Sequence, residues 1–158
     1  MASLREACVA AGLEDVVTVG NTGNIIFRST ATMAQCRKLV QAAVQGFDLP
    51  NEVFIDTPRR MAEVVAANPF PEAAVERPDE MGVCTFHRAP DWGPVMGGYE
   101  GPEMRAAIGA HLVVAYPAGL PSSRLRIEKL LGVTMTMRNW RVFASLAEKA
   151  TALSRKRT

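Results

Sequence analysis

The sequence predicts an α+β fold. β-branched runs and helical apolar stripes alternate irregularly along the chain. Two pairs of short strand-like runs are joined by glycine-bearing turns, which reads as antiparallel hairpins rather than the crossovers of a doubly wound sheet. The chain has 158 residues, 48% hydrophobic and 22% charged, which suits one ordinary domain or two small ones sharing a core. These values exclude a disordered chain, a collagen-like repeat and a disulfide-stapled mini-protein.

Residues 3–11 carry Leu4, Ala7, Cys8 and Ala11 on one helical face, with Ser3 and Glu6 as a capping box and Gly12 as the stop. Asp15–Val19 and Ile25–Arg28 read as a hairpin around the turn cluster at 20–24. Thr32 is placed to cap a helix running to Gln45, with Cys36, Leu39, Val40, Ala43 and Val44 at helical spacing. Glu52–Asp56 reads as a third strand. Thr57-Pro58 is a helix start, and that helix runs to Ala67.

Residues 68–80 are proline-broken and read as a loop with at most one helical turn. Val83–His87 is a strand. Residues 88–102 are rich in glycine and proline, and a loop of that length is expected to be functional or mobile. Glu103–Ile108 and His111–Tyr116 bracket Gly109-Ala110 as a second hairpin. Ser122 or Ser123 is placed to cap a helix ending at Leu131, before Gly132. Val133–Met137 is extended, and Asn139 caps a last helix through Ser154, with Trp140, Phe143, Leu146, Ala147 and Leu153 as its buried stripe.

This order divides the chain into a first subdomain at 1–67, a connecting loop at 68–81, a second α+β subdomain at 82–154 and a basic tail at 155–158. The first half has the pattern of a split βαβ, ferredoxin-like unit without its opening strand. In that topology the opening strand is central, so its absence is expected to leave a slot, which a second subunit of a homodimer can fill.

No apolar run approaches the roughly 20 residues of a membrane helix, and the first fifteen residues lack a signal-peptide core, so no membrane association is expected. Cys8, Cys36 and Cys84 are widely spaced with no CxxC pair, which suits reduced thiols and a cytoplasmic protein. With only His87 and His111, no local metal site is expected, and no cofactor motif is present.

The formal net charge is +2. Residues 122–158 hold nine basic and two acidic residues, a local net of +7, so the remainder carries −5. Such a polarised chain steers anionic partners, although helices also carry solvated basic faces.

Four blocks carry a family likeness: Asn21–Phe27, the Asn-Pro-Phe-Pro run at 68–71, Tyr116-Pro117 followed by Gly119 and Ser123, and Met135–Trp140 with Leu146. Together they resemble the bacterial domain-of-unknown-function family 1697. Thr136-Met137-Arg138-Asn139-Trp140 is close to that family's Thr-x-Arg-Asn-Trp signature. The resemblance implies a two-part α+β fold and no particular reaction. It also implies an opening strand and glycine-containing loop ahead of the first helix, about twenty residues by usual element lengths. Met1–Arg5 resembles the start of that helix, so these elements are expected to be missing.

The sharpest chemical cluster is Arg138-Asn139-Trp140. Arg138 suits a bidentate grip on phosphate or carboxylate, and Trp140 suits stacking on a base. Asn139 and Trp140 equally suit a helix cap and a core anchor. Ser123 and Arg124 at an expected helix N-terminus form a second candidate anion site, with Arg141 as a further cation. The expected function is a small protein binding nucleic acid or a small anionic ligand through its basic C-terminal third. The alternatives are an enzyme acting on a small phosphorylated or carboxylated metabolite, with Ser123 and Arg138 as its clamp, and an oligomeric interaction protein.

Overall fold

The computed structural model describes residues 2–20, 23–45, 47 and 52–155. It is α+β, with six α-helices and six strands in two antiparallel sheets among those residues. The chain divides into two compact units, Met1–Pro58 with Leu146–Thr158, and Arg59–Ser145.

The first unit opens with α1 (Ala2–Ala10), so Ser3 lies inside the helix rather than at its cap. Gly12 follows at φ +102°, a conformation that glycine adopts without a Cβ penalty. β1 (Glu14–Val19) and β2 (Asn24–Arg28) form the expected hairpin. Its register gains one residue between Glu14 and Val17, a bulge that holds Asp15 at φ +50° with its carboxylate 3.3 Å from Arg28. α2 (Met33–Val44) begins with a full capping box: Thr32 Oγ1 accepts from Gln35 N–H, and the Gln35 side chain accepts from Thr32 N–H. Cys36, Val40 and Val44, spaced by four, are its buried stripe. Leu4 and Cys8 of α1 meet Leu13, Val16, Val40 and Val44 in the first core.

Glu52–Asp56 is not a strand. Its alternating Val53 and Ile55 pack against that first core, so their apolar surface is satisfied by side-chain burial without a place in the β1–β2 sheet. Asn21, Thr22, Gly46 and the tail residues 156–158 lie outside the described residues.

The second unit is built on a four-stranded antiparallel sheet in the order β4-β5-β3-β6. Its strands are β3 (Met81–Thr85), β4 (Met104–Ile108), β5 (His111–Ala115) and β6 (Thr136–Asn139). β3 starts two residues before the expected strand, and the β4–β5 hairpin turns at Gly109-Ala110 as expected. Every residue of β3 and β5 is buried, because both faces of the sheet are covered.

Strand alternation sorts the two faces. Met81, Val83, Val113 and Ala115 face Val64 of α3 (Pro58–Ala67), Ala73 of α4 (Pro71–Glu76), and Trp140 and Phe143 of α6 (Trp140–Ser154). Thus the 68–81 segment is ordered into a helix and a 3-10 turn that pack with the second sheet. On the other face, Cys84, Phe86, Leu112, Val114 and Tyr116 pack against Val95, Leu125 and Ile127. Burying side chains of this size contributes about 1.5–3 kcal/mol each.

The glycine- and proline-rich stretch at 88–102 is a cover for this second face. Val95 is fully buried, and Trp92 meets Phe86 edge-on at 5.2 Å. Arg105 fastens the cover from β4: its Nη1 donates to the Val95 and Tyr99 carbonyls at 3.1 and 3.0 Å, and its guanidinium lies over the Tyr99 ring.

The helix expected from Ser122 or Ser123 does not start there. Residues 120–122 form a 3-10 turn, and α5 (Ile127–Leu131) is five residues long with no side-chain cap. Leu125 and Ile127 are both buried while Arg124 and Arg126 are exposed, an alternation of period two that a helix cannot satisfy.

Candidate functional site

β6 lies at one edge of the sheet, with Arg138 opposite Val83 in the ladder. The half-buried Arg138 guanidinium turns back on its own strand. Its Nη1 donates to Thr136 Oγ1 and to the Met137 carbonyl, both at 3.0 Å. Burial lowers its pKa from the usual arginine value. Arg138 therefore caps polar groups of an edge strand, a common way of blunting such an edge.

Asn139 is the N-cap of α6: its Oδ1 accepts from Val142 N–H at 2.8 Å. Trp140 is buried in the core beside Phe143 and Val64, so its ring is not presented for stacking on a base. Arg141 is exposed, with its guanidinium 3.2 Å from the Asp79 carboxylate. The 136–141 segment thus holds sheet to helix, and within it only Arg141 is an exposed cation.

Ser123 belongs to a different cluster. Its hydroxyl donates to Glu103 Oε1 at 3.1 Å and accepts from Leu125 N–H at 3.1 Å. Glu103 is 5% exposed, and its second oxygen accepts from the Tyr99 hydroxyl at 2.7 Å. That hydrogen bond and the surrounding burial raise the Tyr99 pKa, while the nearby Arg105 and Arg124 charges oppose the rise. Ser123 is thus not at a helix N-terminus, and the oxyanion clamp expected from it and Arg138 is not assembled. Arg124 and Arg126 point outward from this segment and, with Lys129, are exposed. Arg126 Nη1 donates to the Ser123 carbonyl at 3.1 Å.

A cleft of about 270 Å³ opens at the end of the sheet where β3 begins and β6 ends. Asp79, Glu80 and Asn139 supply polar lining, and Tyr116, Leu120 and Met137 supply apolar lining. Tyr116 is 3% exposed, and its hydroxyl points to Met137 Sδ at 3.8 Å, a weak acceptor. Burial is the main cause that raises its pKa well above 10.0, so the hydroxyl keeps its proton. Of the six residues singled out from the sequence, only Asn139 lines this cleft.

The groups missed in the sequence are Glu103, Tyr99 and Tyr116. Glu103 reads as an unremarkable strand end, and its hydroxyl partners come from two other segments. Among the described residues no group of His, Cys, Asp and Glu could hold a metal ion. The three cysteines are free and buried. His111 is buried with its ring edge-on to Phe143 at 5.6 Å, and His87 is exposed. No described helix is long and apolar enough to cross a membrane.

The family model described as protein of unknown function (DUF1697) matches residues 1–97. The match includes the Asn68–Pro71 block and ends before the Thr136–Trp140 segment. A solved structure of a conserved bacterial protein from Streptococcus pneumoniae is similar in fold. It has a TM-score of 0.67 at 19% identity, over 96% of this chain and 88% of that one. No curated protein matches the sequence.

Proposed function

The chain belongs to the DUF1697 family, whose function is unknown, and from that premise we propose that it is a cytoplasmic protein that binds anionic ligands, nucleic acid among them. The binding surface is the Arg124–Lys129 segment of the basic C-terminal third. The observation that carries this reading is the exposure of Arg124, Arg126 and Lys129 on one short segment, while Arg138 is committed to its own strand. Exposed cations grouped this way attract phosphates without a preformed pocket.

The enzyme alternative loses the device expected of it, since Ser123 serves Glu103 and α5 has no side-chain cap. The test is a titration of a labelled single-stranded oligonucleotide, followed by fluorescence anisotropy at increasing salt. Saturable binding that weakens steeply with salt supports the reading, and no binding at low ionic strength removes it.

A further inference from the structure

We propose that the cleft between the start of β3 and the end of β6 is a second binding site, for a small amine that also carries a carbonyl acceptor and a compact apolar group, such as the amide of an apolar amino acid. Asp79 and Glu80 are among the residues that line the cleft, and in this proposal their carboxylates receive the ammonium. Each already faces an arginine, Arg141 at 3.2 Å and Arg77 at 3.5 Å. Those pairs are solvent-exposed and hold their partners weakly, and a carboxylate retains acceptor sites beyond one arginine contact.

Tyr116 supplies the second anchor. Its buried hydroxyl donates only to a thioether among the described residues, at 3.8 Å, so a carbonyl oxygen offers it a stronger acceptor. Leu120 is 49% exposed at the same cleft, an apolar side chain left for an apolar ligand group to cover together with Met137. The size agrees: a cleft of about 270 Å³ lies just below the usual range of small-molecule pockets, which suits a ligand as small as leucinamide. A free acid fits less well than an amide, because its carboxylate enters a cleft lined by two others.

The experiment is a heteronuclear NMR titration of the full chain with leucinamide, compared with leucine and with 4-methylpentanamide, which lacks the amine. The expected result is saturable shifts at the amides of Gly82 and Asn139 with leucinamide, and weaker binding of both comparison compounds. Tyr116→Phe keeps the ring in the core and is expected to weaken leucinamide by about tenfold, the loss of one hydrogen bond. Asp79→Asn with Glu80→Gln is expected to weaken it at least as much. Arg124→Gln is expected to leave it unchanged, which separates this site from the basic segment. The proposal is overturned by absence of saturable shifts up to concentrations on the order of 10 mM, or by equal binding of 4-methylpentanamide. Unaltered binding to a folded Tyr116→Phe protein also overturns it.

Discussion

The Ser123 hydroxyl donates to the buried Glu103 carboxylate at 3.1 Å, across the gap between the start of β4 and the segment before α5. This contact ties down a residue that otherwise looks like a helix cap or part of an anion clamp. Ser123→Ala removes one of the two hydroxyl donors to a buried carboxylate. It is expected to destabilise the fold by about 1–2 kcal/mol, read from urea unfolding. A stability change within error would show that Glu103 does not depend on this hydroxyl.

Asn139 has a simpler role. Replacing it with alanine leaves the Val142 N–H without its cap. The expected loss is about 1 kcal/mol of stability. Oligonucleotide affinity should stay unchanged, because the cap faces its own helix. A large loss of affinity in a folded Asn139→Ala protein would place Asn139 in the binding surface after all.

Gly82 owes its identity to a neighbour across the ladder. A Cβ at this position would lie 2.5 Å from Met137 Sδ and 3.6 Å from the Tyr116 ring. Gly82→Ala is therefore expected to push the flexible Met137 side chain aside at a cost of about 1 kcal/mol or less. Adding Met137→Ala should recover part of that loss, which a double-mutant cycle measures as a favourable coupling. Purely additive losses would contradict the steric account.

Cys84 makes the fold sensitive to alkali. Desolvation, with a smaller contribution from the Glu128 carboxylate, raises its thiol from 9.0 to about 12. The folded chain thus holds this proton more tightly than the unfolded chain. The resulting stability is complete below pH 9 and is lost as pH rises towards 12. The raised Tyr99 and Tyr116 hydroxyls act in the same direction above pH 10.0. Cys84→Ala should make the decline shallower in a series of unfolding curves, and an identical decline would refute the assignment to Cys84.

The parts of the fold legible in the sequence are those fixed by local contacts. Thr32 and Gln35 cap each other within one turn, and Cys36, Val40 and Val44 repeat at helical spacing. The β4–β5 hairpin needs only its own two strands and a glycine turn. The errors lie where a distant partner decides. Ser123 follows a glycine-proline turn and so resembles a cap, but its hydroxyl is taken by Glu103, twenty residues away. Glu52–Asp56 has the alternation of a strand, yet its apolar residues are buried without joining a sheet. For Arg138 the residue type suggested an anion grip. Only the strand's position at a sheet edge shows why its guanidinium is used internally.

The central claim is that exposed cations of the 124–129 segment bind anionic ligands, while Arg138 serves the fold. It is tested most directly by oligonucleotide anisotropy at low salt with two variants. The triple variant Arg124→Gln, Arg126→Gln, Lys129→Gln should lose most binding, and its dependence on salt should flatten by about three phosphate contacts. Arg138→Lys, checked to be folded, should bind as the parent chain does. Binding that survives the triple variant, or that vanishes with Arg138→Lys alone, would contradict the account.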